Sequence, residues 1–227
     1  MMTDIRLIDV KEDILADNNS RAEEIRSFLK KKSVFLLNLM SSPGSGKTSL
    51  ILRTTAALKN SLRFGVIEGD IESIVDAEKI SKAGMPAVQL RTGGLCHLDA
   101  SMIGLALDEL DLENLDAVII ENVGNLVCPA EFDTGAVKSV MILSIPEGDD
   151  KPLKYPLMFS VCDAVIINKM DYLSGSDFDM PAFCARIRNL NHNAEIFEVS
   201  CKTGAGIESW SNWLAEKVNQ WKSAPSN

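Results

Sequence analysis

A phosphate-binding loop directly after a buried strand constrains the fold of this chain more than any other feature. The apolar run 34–40 (VFLLNLM) ends in Ser-Ser-Pro-Gly, and residues 42–48 then read S-P-G-S-G-K-T. A short apolar run followed by a Gly-rich loop and a helical pattern is typical of the strand–loop–helix unit that holds nucleotide phosphates. Since this unit is built on parallel sheets flanked by helices, it predicts an α/β fold.

The loop departs from the strict G-x-x-x-x-G-K-S/T pattern because Ser41 occupies the first Gly position. Gly44 and Gly46 still let backbone N–H groups turn toward phosphate oxygens, and the following helix N-terminus adds positive potential. Lys47 would contact the β- and γ-phosphates, and the Thr48 hydroxyl would bind magnesium. The predicted phosphate-binding residues are Pro43, Gly44, Ser45, Gly46, Lys47, Thr48 and Ser49.

Further apolar runs, each closing on a polar residue, follow the loop: FGVIE (64–68), AVIIE (117–121) and AVIIN (164–168). Such runs are typical of strands buried on both faces, with functional groups at their carboxyl ends. Helical patterns separate the runs, so we expect a single doubly wound, mostly parallel sheet of the P-loop NTPase kind. The predicted helices are 48–58, 75–82, 98–110, 181–190 and 207–221.

The length of the chain fits one domain of this kind. Its 227 residues are 46% hydrophobic, enough for one sizeable core and marginal for two. We expect residues 34–222 to form the nucleotide-binding domain, with 1–33 as an N-terminal helical appendage and 223–227 as a frayed tail. In the appendage, Ser20 and Glu23 form a capping-box pattern that predicts a helix from Ser20 through Lys30.

The net charge limits which partners the protein is expected to bind, and the cysteine content indicates its cellular compartment. The formal net charge is -9, which argues against sequence-independent binding to nucleic acid or to an anionic membrane. The five Cys are an odd number and sparse, which favours a reducing compartment. The first residues carry acids where a signal peptide needs a basic and then an apolar run, and no window approaches the ~20 apolar residues of a membrane span. We therefore expect a cytoplasmic protein that binds neither nucleic acid nor membrane.

A guanine-specific motif, N-K-x-D, closes the segment A-V-I-I-N-K-M-D at 164–171. Asp171 would accept hydrogen bonds from the guanine ring N–H and from the exocyclic amine beside it. Adenine has an acceptor at that ring position and no amine beside it, so the motif predicts GTP as the nucleotide. Lys169 would lay its aliphatic stem over the base, and Asn168 would brace the loop. A second predicted base-binding loop, before the last helix, consists of Ser200, Cys201 and Lys202.

Acidic residues at strand ends predict the magnesium side of the site. Glu121 ends the AVIIE run and would hold magnesium as in a Walker-B site. Gly124 would bring a backbone N–H to the γ-phosphate. Asp70 is the predicted second magnesium group, and Asp76 is a weaker candidate. No residue is obviously placed to orient the attacking water, so we expect slow intrinsic hydrolysis. The predicted catalytic residues are Lys47, Asp70 and Glu121, and the predicted magnesium ligands are Thr48, Asp70 and Glu121.

Two segments carry ligands for a softer metal. Cys96 and His97 stand side by side before a helix, and Cys128 follows shortly after Gly124. Thiolate and imidazole suit zinc and nickel. Because Cys128 lies shortly after Gly124, a loop movement at Gly124 in response to the γ-phosphate would also move metal ligands. Three donors leave a four-coordinate site incomplete, and a two-fold dimer would complete or double it. We interpret Cys162 and Cys184 as core residues and assign no function to His192.

Taken together, these segments resemble the HypB family, the GTPases that support nickel insertion during nickel–iron hydrogenase maturation. The resemblance rests on N-L-M-S-S-P-G-S-G-K-T, V-I-E-G-D-I, T-G-G-L-C-H-L-D-A, E-N-V-G-N-L-V-C-P-A and I-N-K-M-D, and runs from about residue 34 to the final helix. Ser41 is normal for that family. The urease nickel chaperone UreG is similar but carries Cys-Pro-His, whereas this chain has Cys-Pro-Ala at 128–130.

The resemblance implies a SIMIBI-type G domain that forms a homodimer on binding GTP. It also implies that Cys96, His97 and Cys128 match nickel- or zinc-binding positions at the dimer interface. The implied partners are a HypA-like nickel chaperone, SlyD in some bacteria and, indirectly, the hydrogenase large-subunit precursor. Some members carry an N-terminal Cys-rich or His-rich metal motif; this sequence has no Cys before Cys96 and no His before His97. Lys151 and Lys154 are candidates to reach a neighbouring subunit's nucleotide.

Two alternative functions stay open at this point. The chain would be a GTPase chaperone for another metalloenzyme, of the urease type, if Cys96 and Cys128 were structural. It would be a metal-binding interaction protein with a vestigial GTPase if hydrolysis were undetectable, although the intact Lys47, Thr48 and Asp171 argue against that.

Overall fold

The computed structural model of the chain describes residues 10–70 and 75–225, without the side chains of residues 10–13, 70 and 75. The strands are β1 (Phe35–Ser41), β2 (Phe64–Asp70), β3 (Ala87–Arg91), β4 (Ala117–Glu121), β5 (Lys138–Ser144), β6 (Ala164–Asn168) and β7 (Glu195–Glu198). The helices are α1 (Val10–Lys32), α2 (Lys47–Leu58), α3 (Val75–Lys82), α4 (Ala100–Asp108), α5 (Cys128–Glu131), α6 (Lys151–Lys154), α7 (Pro156–Ser160), α8 (Met180–Leu190) and α9 (Ile207–Ser223).

The strands form one seven-stranded sheet in the order β3-β2-β4-β1-β5-β6-β7. Every described pairing is parallel, which confirms the predicted α/β class. The central strand β1 lies between β4 and β5, so the chain leaves it first toward one edge of the sheet and later toward the other. Ligands bind at such reversals, beyond the carboxyl ends of the strands, and the phosphate loop follows β1 there.

Helices cover both faces of the sheet, as parallel strands buried on both sides require. Helices α2 and α9 pack on one face, where Leu50 and Trp210 are buried against strand residues such as Leu37. On the other face, α1 and α4 cover the β2–β4–β1 region, and α7 and α8 cover β5 and β6. The two faces therefore carry separate apolar cores on either side of one sheet.

Local periodicity located most of the elements near the nucleotide. The predicted strand ranges 117–121 and 164–168 and the helix range 75–82 are observed without change. Three strands, β3, β5 and β7, were not predicted. The edge strands β3 and β7 are only 5 and 4 residues long and their residues are partly or fully exposed, so they lack the fully apolar pattern of the central strands.

The helix start predicted at Ser20 is wrong, because α1 already contains Val10 and places Ser20 in its interior. Tertiary contacts upstream of Ser20 account for the difference. Asn18 donates through Nδ2 to the Asp133 carbonyl at 2.9 Å and accepts through Oδ1 from the Ala100 N–H at 2.9 Å. These bonds dock the first half of α1 onto the fold.

The described helices include none with both the length and the apolar content needed to span a bilayer. Residues 1–9 of the predicted appendage and 226–227 of the predicted tail lie outside the described residues, and the predicted domain bounds stay predictions.

Candidate functional site

The phosphate loop wraps around an open cavity at the carboxyl edge of the sheet. Gly44 and Gly46 have φ of 77° and 105°, the left-handed region that glycine tolerates. At Gly46 an added Cβ would lie 2.4 Å from Asn168 Nδ2, so two separate constraints select glycine there. The cavity in front of the loop measures about 400 Å³. Its lining includes the predicted Pro43, Gly44, Gly46, Lys47, Thr48, Ser49, Glu121 and Gly124, together with Glu68, Asp76 and Lys79.

Lys47 begins α2 and is held below the loop. Its Nζ donates to Ser41 Oγ at 2.9 Å, which uses one of the three donors of an ammonium group. Burial lowers the pKa of Lys47, and the nearby Glu121 and Glu68 carboxylates oppose that shift. An ammonium group beside a Gly-rich loop at the start of a helix is suited to a polyanion.

Two glutamates face each other across neighbouring strands beside this lysine. Glu68 of β2 and Glu121 of β4 are in direct register, and Thr48 Oγ1 donates to Glu121 Oε1 at 3.0 Å. Burial, followed by a hydrogen bond with the Glu121 carboxyl, raises the pKa of Glu68 to about 10. Burial also raises the pKa of Glu121. The free protein therefore keeps a proton between the two carboxyl groups at neutral pH.

The donor set at this position fits a hard divalent cation. Apart from the proton that the two carboxyl groups share, Glu68 Oε1 and Glu121 Oε2 are buried and have no hydrogen-bond partner in the described part of the chain, although a buried polar oxygen without a partner is costly. Carboxylate and hydroxyl oxygens are the ligands that Mg²⁺ prefers. Thr48, Glu121 and Glu68 therefore fit a magnesium ion.

The two predicted aspartates of the magnesium side have different outcomes. Asp70 ends β2 two residues beyond Glu68, but its side chain lies outside the described residues, and its role stays a prediction. Asp76 lies in α3 at the edge of the phosphate cavity, and Lys79 Nζ pairs with its Oδ1 at 2.7 Å.

The predicted base-binding residues meet in a second cavity of about 260 Å³ next to the phosphate loop. Asn168 joins its parts: Oδ1 accepts from the N–H groups of Lys169 and Cys201 at 2.7 and 3.2 Å, and Nδ2 donates to the Ser45 carbonyl at 2.9 Å. Lys169 has φ of 61° and donates through Nζ to the Gly44 carbonyl at 2.7 Å. The loop that would hold the base is thereby fixed to the loop that would hold the phosphates.

Asp171 lies at the mouth of this base cavity as a ready acceptor. Its Oδ1 accepts from Ser200 Oγ at 2.6 Å, and Lys202 Nζ lies 3.6 Å from its Oδ2. The Ser200 hydrogen bond, with help from Lys202, lowers the pKa of Asp171. The carboxylate is therefore ionised at neutral pH and can accept hydrogen bonds from a ligand in the cavity.

Gly124 packs directly against the phosphate loop. A Cβ at this position would lie 2.9 Å from both Pro43 N and Pro43 Cγ, closer than real Cβ atoms approach. The backbone after β4 therefore touches the loop that would surround the phosphates, and glycine is required for that contact.

Cys96, His97 and Cys128 converge on one point although two separate segments carry them. Cys96 Sγ lies 2.8 Å from Cys128 Sγ and 3.8 Å from His97 Nδ1, and one ligand atom from each residue lies within 4.8 Å of the others. Phe132 stacks on the His97 ring with centroids 3.8 Å apart. This is the sole group of three or more Cys, His, Asp or Glu in metal-binding proximity within the described residues.

The protonation of this cluster suits a metal that displaces protons. A hydrogen bond with Cys96, together with burial, raises the pKa of Cys128, and burial lowers the pKa of His97. The imidazole is thus favoured in its neutral, ligating form, whereas Cys128 releases a proton on binding a metal.

Other sequence candidates lie elsewhere. Cys162 is buried and donates to the Phe159 carbonyl at 3.3 Å, and Cys184 is half-buried in α8. Lys151 lies over the Tyr155 ring, and Lys154 pairs with Asp150 at 2.5 Å. The exposed His192 lies in the turn before β7.

Three residues of the sites were not singled out from the sequence: Glu68, Asn122 and Phe132. Alternation along FGVIEGD puts Glu68 on the same strand face as Asp70, so the sequence did contain a signal for Glu68. It contained none for the order of strands, which is what places Glu68 beside Glu121. Asn122 bonds to Asn38 and Leu98, and Phe132 stacks on His97. Neither residue carried a signal of its own, because these partners are distant in sequence.

The chain matches the family model described as "CobW/HypB/UreG, nucleotide-binding domain" over residues 35–198. It is 47% identical over 213 residues to the hydrogenase maturation factor HypB of Rhizobium leguminosarum bv. viciae, covering 94% of this chain and 71% of that protein. It is 44% identical over 217 residues to the hydrogenase/urease maturation factor HypB of Helicobacter pylori strain J99, covering 94% and 89%.

Among solved structures, this one is similar to the crystal structure of HypB from Helicobacter pylori in complex with nickel. The TM-score is 0.86 at 42% identity, over 92% of this chain and 98% of the other. The match therefore leaves out less than a tenth of this chain.

Proposed function

Because the chain belongs to the CobW/HypB/UreG family, and within it to the HypB proteins, we propose that it is a GTP-hydrolysing metallochaperone that helps deliver nickel during nickel–iron hydrogenase maturation. One observation carries the proposal. The short segment from Glu121 to Cys128 joins the phosphate cavity to the Cys/His cluster. Relatives named as hydrogenase maturation factors, and the nickel complex of one of them, support the choice of metal and client.

The nucleotide would lie across the two cavities. Asp171 selects guanine, Lys169 covers the base, and the loop around Gly46 surrounds the phosphates while Lys47 neutralises their charge. Magnesium, held by Thr48, Glu121 and Glu68, would neutralise charge that develops on the phosphates during hydrolysis. The proposed catalytic residues are Lys47, Glu121 and Asp70.

Nickel would be the cargo, bound by Cys96, His97 and Cys128. These three residues supply thiolate and imidazole donors suited to nickel or zinc, and three ligands leave a position for a ligand from a partner. Closure of a dimer on GTP would bring a second copy of the cluster nearby. A HypA-like chaperone would supply the metal, and the hydrogenase precursor would receive it indirectly. Because the cluster needs reduced thiols, we place this cycle in the cytoplasm.

A urease client is a second candidate. It is favoured by the similarity to a Helicobacter pylori relative that is named as a hydrogenase/urease maturation factor. Both clients would use the same nucleotide and metal residues, so the proposed chemistry of this chain is common to the two.

The test is a nickel titration with and without a non-hydrolysable GTP analogue and Mg²⁺, read by thiolate-to-nickel absorbance and by mass on size exclusion. We expect the analogue to produce a dimer and to change the nickel signal. The double variant Cys96→Ser/Cys128→Ser should lose the signal while still hydrolysing GTP. Cys184→Ser, which alters a half-buried thiol outside the cluster, is the matched control and should keep it.

Either of two results would contradict the proposal. Nickel binding that ignores both the analogue and the two cysteines would separate the metal from this site. Equal affinity for GTP and ATP would remove the guanine assignment.

A further inference from the structure

The end of β4 presents two neighbouring side chains to opposite faces of the sheet. Glu121 faces the phosphate cavity, where it accepts a bond from Thr48. Asn122 is fully buried on the other face beside Asn38 of β1. The alternation expected of a strand continues through Asn122, because its N–H still donates to the Leu39 carbonyl at 3.0 Å. A displacement of this strand end therefore moves both faces together.

The Asn122 side chain connects three parts of the chain. Its Oδ1 accepts from the Leu98 N–H at 3.2 Å and from the Val123 N–H at 2.9 Å, and its Nδ2 donates to Asn38 Oδ1 at 3.1 Å. Leu98 directly follows His97, so this amide fixes the arm that carries Cys96 and His97 to the end of β4. All of the hydrogen-bonding atoms of Asn122 lie out of contact with water.

The second arm of the cluster is held by the same segment. Asn125 Oδ1 accepts from the N–H groups of Val127 and Cys128 at 2.7 and 3.3 Å. Between the two asparagines lies Gly124, in contact with Pro43 of the phosphate loop. Segment 122–125 thus touches the phosphate loop through Gly124. Its first residue is bonded to the chain beside Cys96 and His97, and its last residue is bonded to Cys128 of the same Cys/His cluster.

We propose that Asn122 is the positioning residue through which the phosphate cavity sets the place of the Cys96–His97 arm. The inference rests on the proposed function, since it takes the γ-phosphate to act at Gly124. A shift of Gly124 changes the position of Asn122, and Leu98 follows because its N–H is bonded to that side chain. The distances among the three metal ligands then depend on the nucleotide, so the nickel affinity does too.

The fold supplies a matched comparison residue in Asn18. It is also buried, and it accepts from the Ala100 N–H at 2.9 Å and donates to the Asp133 carbonyl. Ala100 lies only three positions after His97, so Asn18 also anchors the region after the Cys96–His97 arm. It does so from α1, however, and no described residue of α1 lines the phosphate cavity. Loss of either asparagine weakens the fold, but only loss of Asn122 should uncouple the two sites.

The experiment measures the nickel dissociation constant of the full chain with and without the non-hydrolysable GTP analogue and Mg²⁺, and reports the ratio of the two values. Allosteric ratios of about five- to 150-fold are typical. We expect Asn122→Ser to bring the ratio within about twofold of one, and Asn18→Ser to keep the ratio of the unmodified protein. An unchanged ratio in Asn122→Ser would overturn the inference and leave the proposed function intact. A ratio of one in the unmodified protein would overturn both.

A second measurement needs no variant and so remains decisive if Asn122→Ser does not fold. Hydrogen exchange of the Leu98 and Ala100 amides is followed in the unmodified protein with and without the analogue. We expect the protection of Leu98 to change at least about tenfold and that of Ala100 to stay constant. Nucleotide-dependent nickel affinity with an unresponsive Leu98 amide would contradict the role of Asn122.

Discussion

Asn168 shows how much a single side chain settles in the nucleotide site. Its amide bonds to the backbone on both sides of the base cavity and to the phosphate loop at Ser45. All three bonds are buried or partly buried, where an unmade bond costs about 1–3 kcal/mol. The base and phosphate loops are therefore already joined to each other in the nucleotide-free protein, and the site is preformed.

The Asp171 carboxylate tests the choice of base. Asp171→Asn should weaken GTP binding by about 1.5–3 kcal/mol, the contribution of hydrogen bonds to a charged group, or roughly ten- to hundredfold. Preference should shift toward xanthosine triphosphate, whose carbonyl accepts from the new amide donor. Titration with the three triphosphates of guanosine, xanthosine and adenosine measures this shift. Asp177→Asn, at an exposed position after the motif, should leave the order of affinities unchanged.

The second prediction at this scale concerns Gly46. Gly46→Ala should destabilise the fold by about 1–3 kcal/mol through the left-handed backbone alone. It should also weaken nucleotide binding, because the new Cβ displaces Asn168. Thermal unfolding and GTP titration measure the two effects. Gly175→Ala is the control, since it has an ordinary φ and no atom within 4 Å of its Cβ; equal behaviour of the two variants would contradict the prediction.

At the scale of elements, the pairing of β2 with β4 decides the chemistry of the proposed magnesium site. Their register sets Glu68 opposite Glu121, and burial holds a proton on Glu68 with a pKa of about 10. An unfolded Glu loses that proton near pH 4.5. The stability that depends on the Glu68 proton is therefore fully present below about pH 4.5 and is lost progressively as the pH rises toward about 10.

Glu68→Gln removes this titration and should change the pH dependence of stability. In metal-free and nucleotide-free buffer, the variant should become more stable relative to the unmodified protein as the pH rises from 5 to 9. Urea unfolding at several pH values gives the difference directly. Glu195→Gln, at an exposed strand position, should give no such trend. Parallel pH curves for the unmodified protein and Glu68→Gln would contradict the assigned pair.

At the scale of the whole molecule, α1 is packed into one of the two cores. Ala22, Ile25 and Leu29 are buried with Leu36 of β1 and Ile103 of α4. On the same helix, Arg26 donates to both oxygens of Asp133 at 2.9 and 2.7 Å. This helix therefore buries the face of the sheet that carries Asn122, and it is joined to the segment that follows the Cys/His cluster.

Replacing Leu29 tests whether α1 is part of the cooperative fold. Leu29→Ala should destabilise the whole domain by about 2–5 kcal/mol, as a buried leucine does when truncated. Phe28→Ala, at a side chain that is 42% exposed, should cost much less. Denaturant unfolding is followed by fluorescence in a Trp213→Phe/Trp221→Phe background, where Trp210, on the opposite face of the sheet, is the remaining tryptophan and reports the domain itself. An unchanged Trp210 transition in Leu29→Ala would show that the helix is a detachable appendage.

Local patterns in the sequence were sufficient for the phosphate loop, the base motif and the strands that precede them. The central strands are continuous apolar runs, and the loops that follow use glycine, lysine and aspartate at fixed spacing, so their information lies within a few residues. The start of α1 was mispredicted at Ser20 for the complementary reason. The capping pattern was local, whereas the contacts of Asn18 with Ala100 and Asp133 come from elsewhere in the fold.

The sequence by itself therefore determined the α/β class and the nucleotide motifs, because each depends on residue type and short spacing. It also singled out Cys96, His97 and Cys128 as proposed metal ligands, because thiol and imidazole are the donor types that nickel and zinc prefer. Only the tertiary structure decided which residues from distant segments are in contact. The order of strands put Glu68 beside Glu121, and the return of the chain after β3 put Cys96 within 2.8 Å of Cys128. Asn122 acquired its bond to Leu98 in the same way. Contacts between distant segments depend on sheet order and helix packing, which no local pattern encodes.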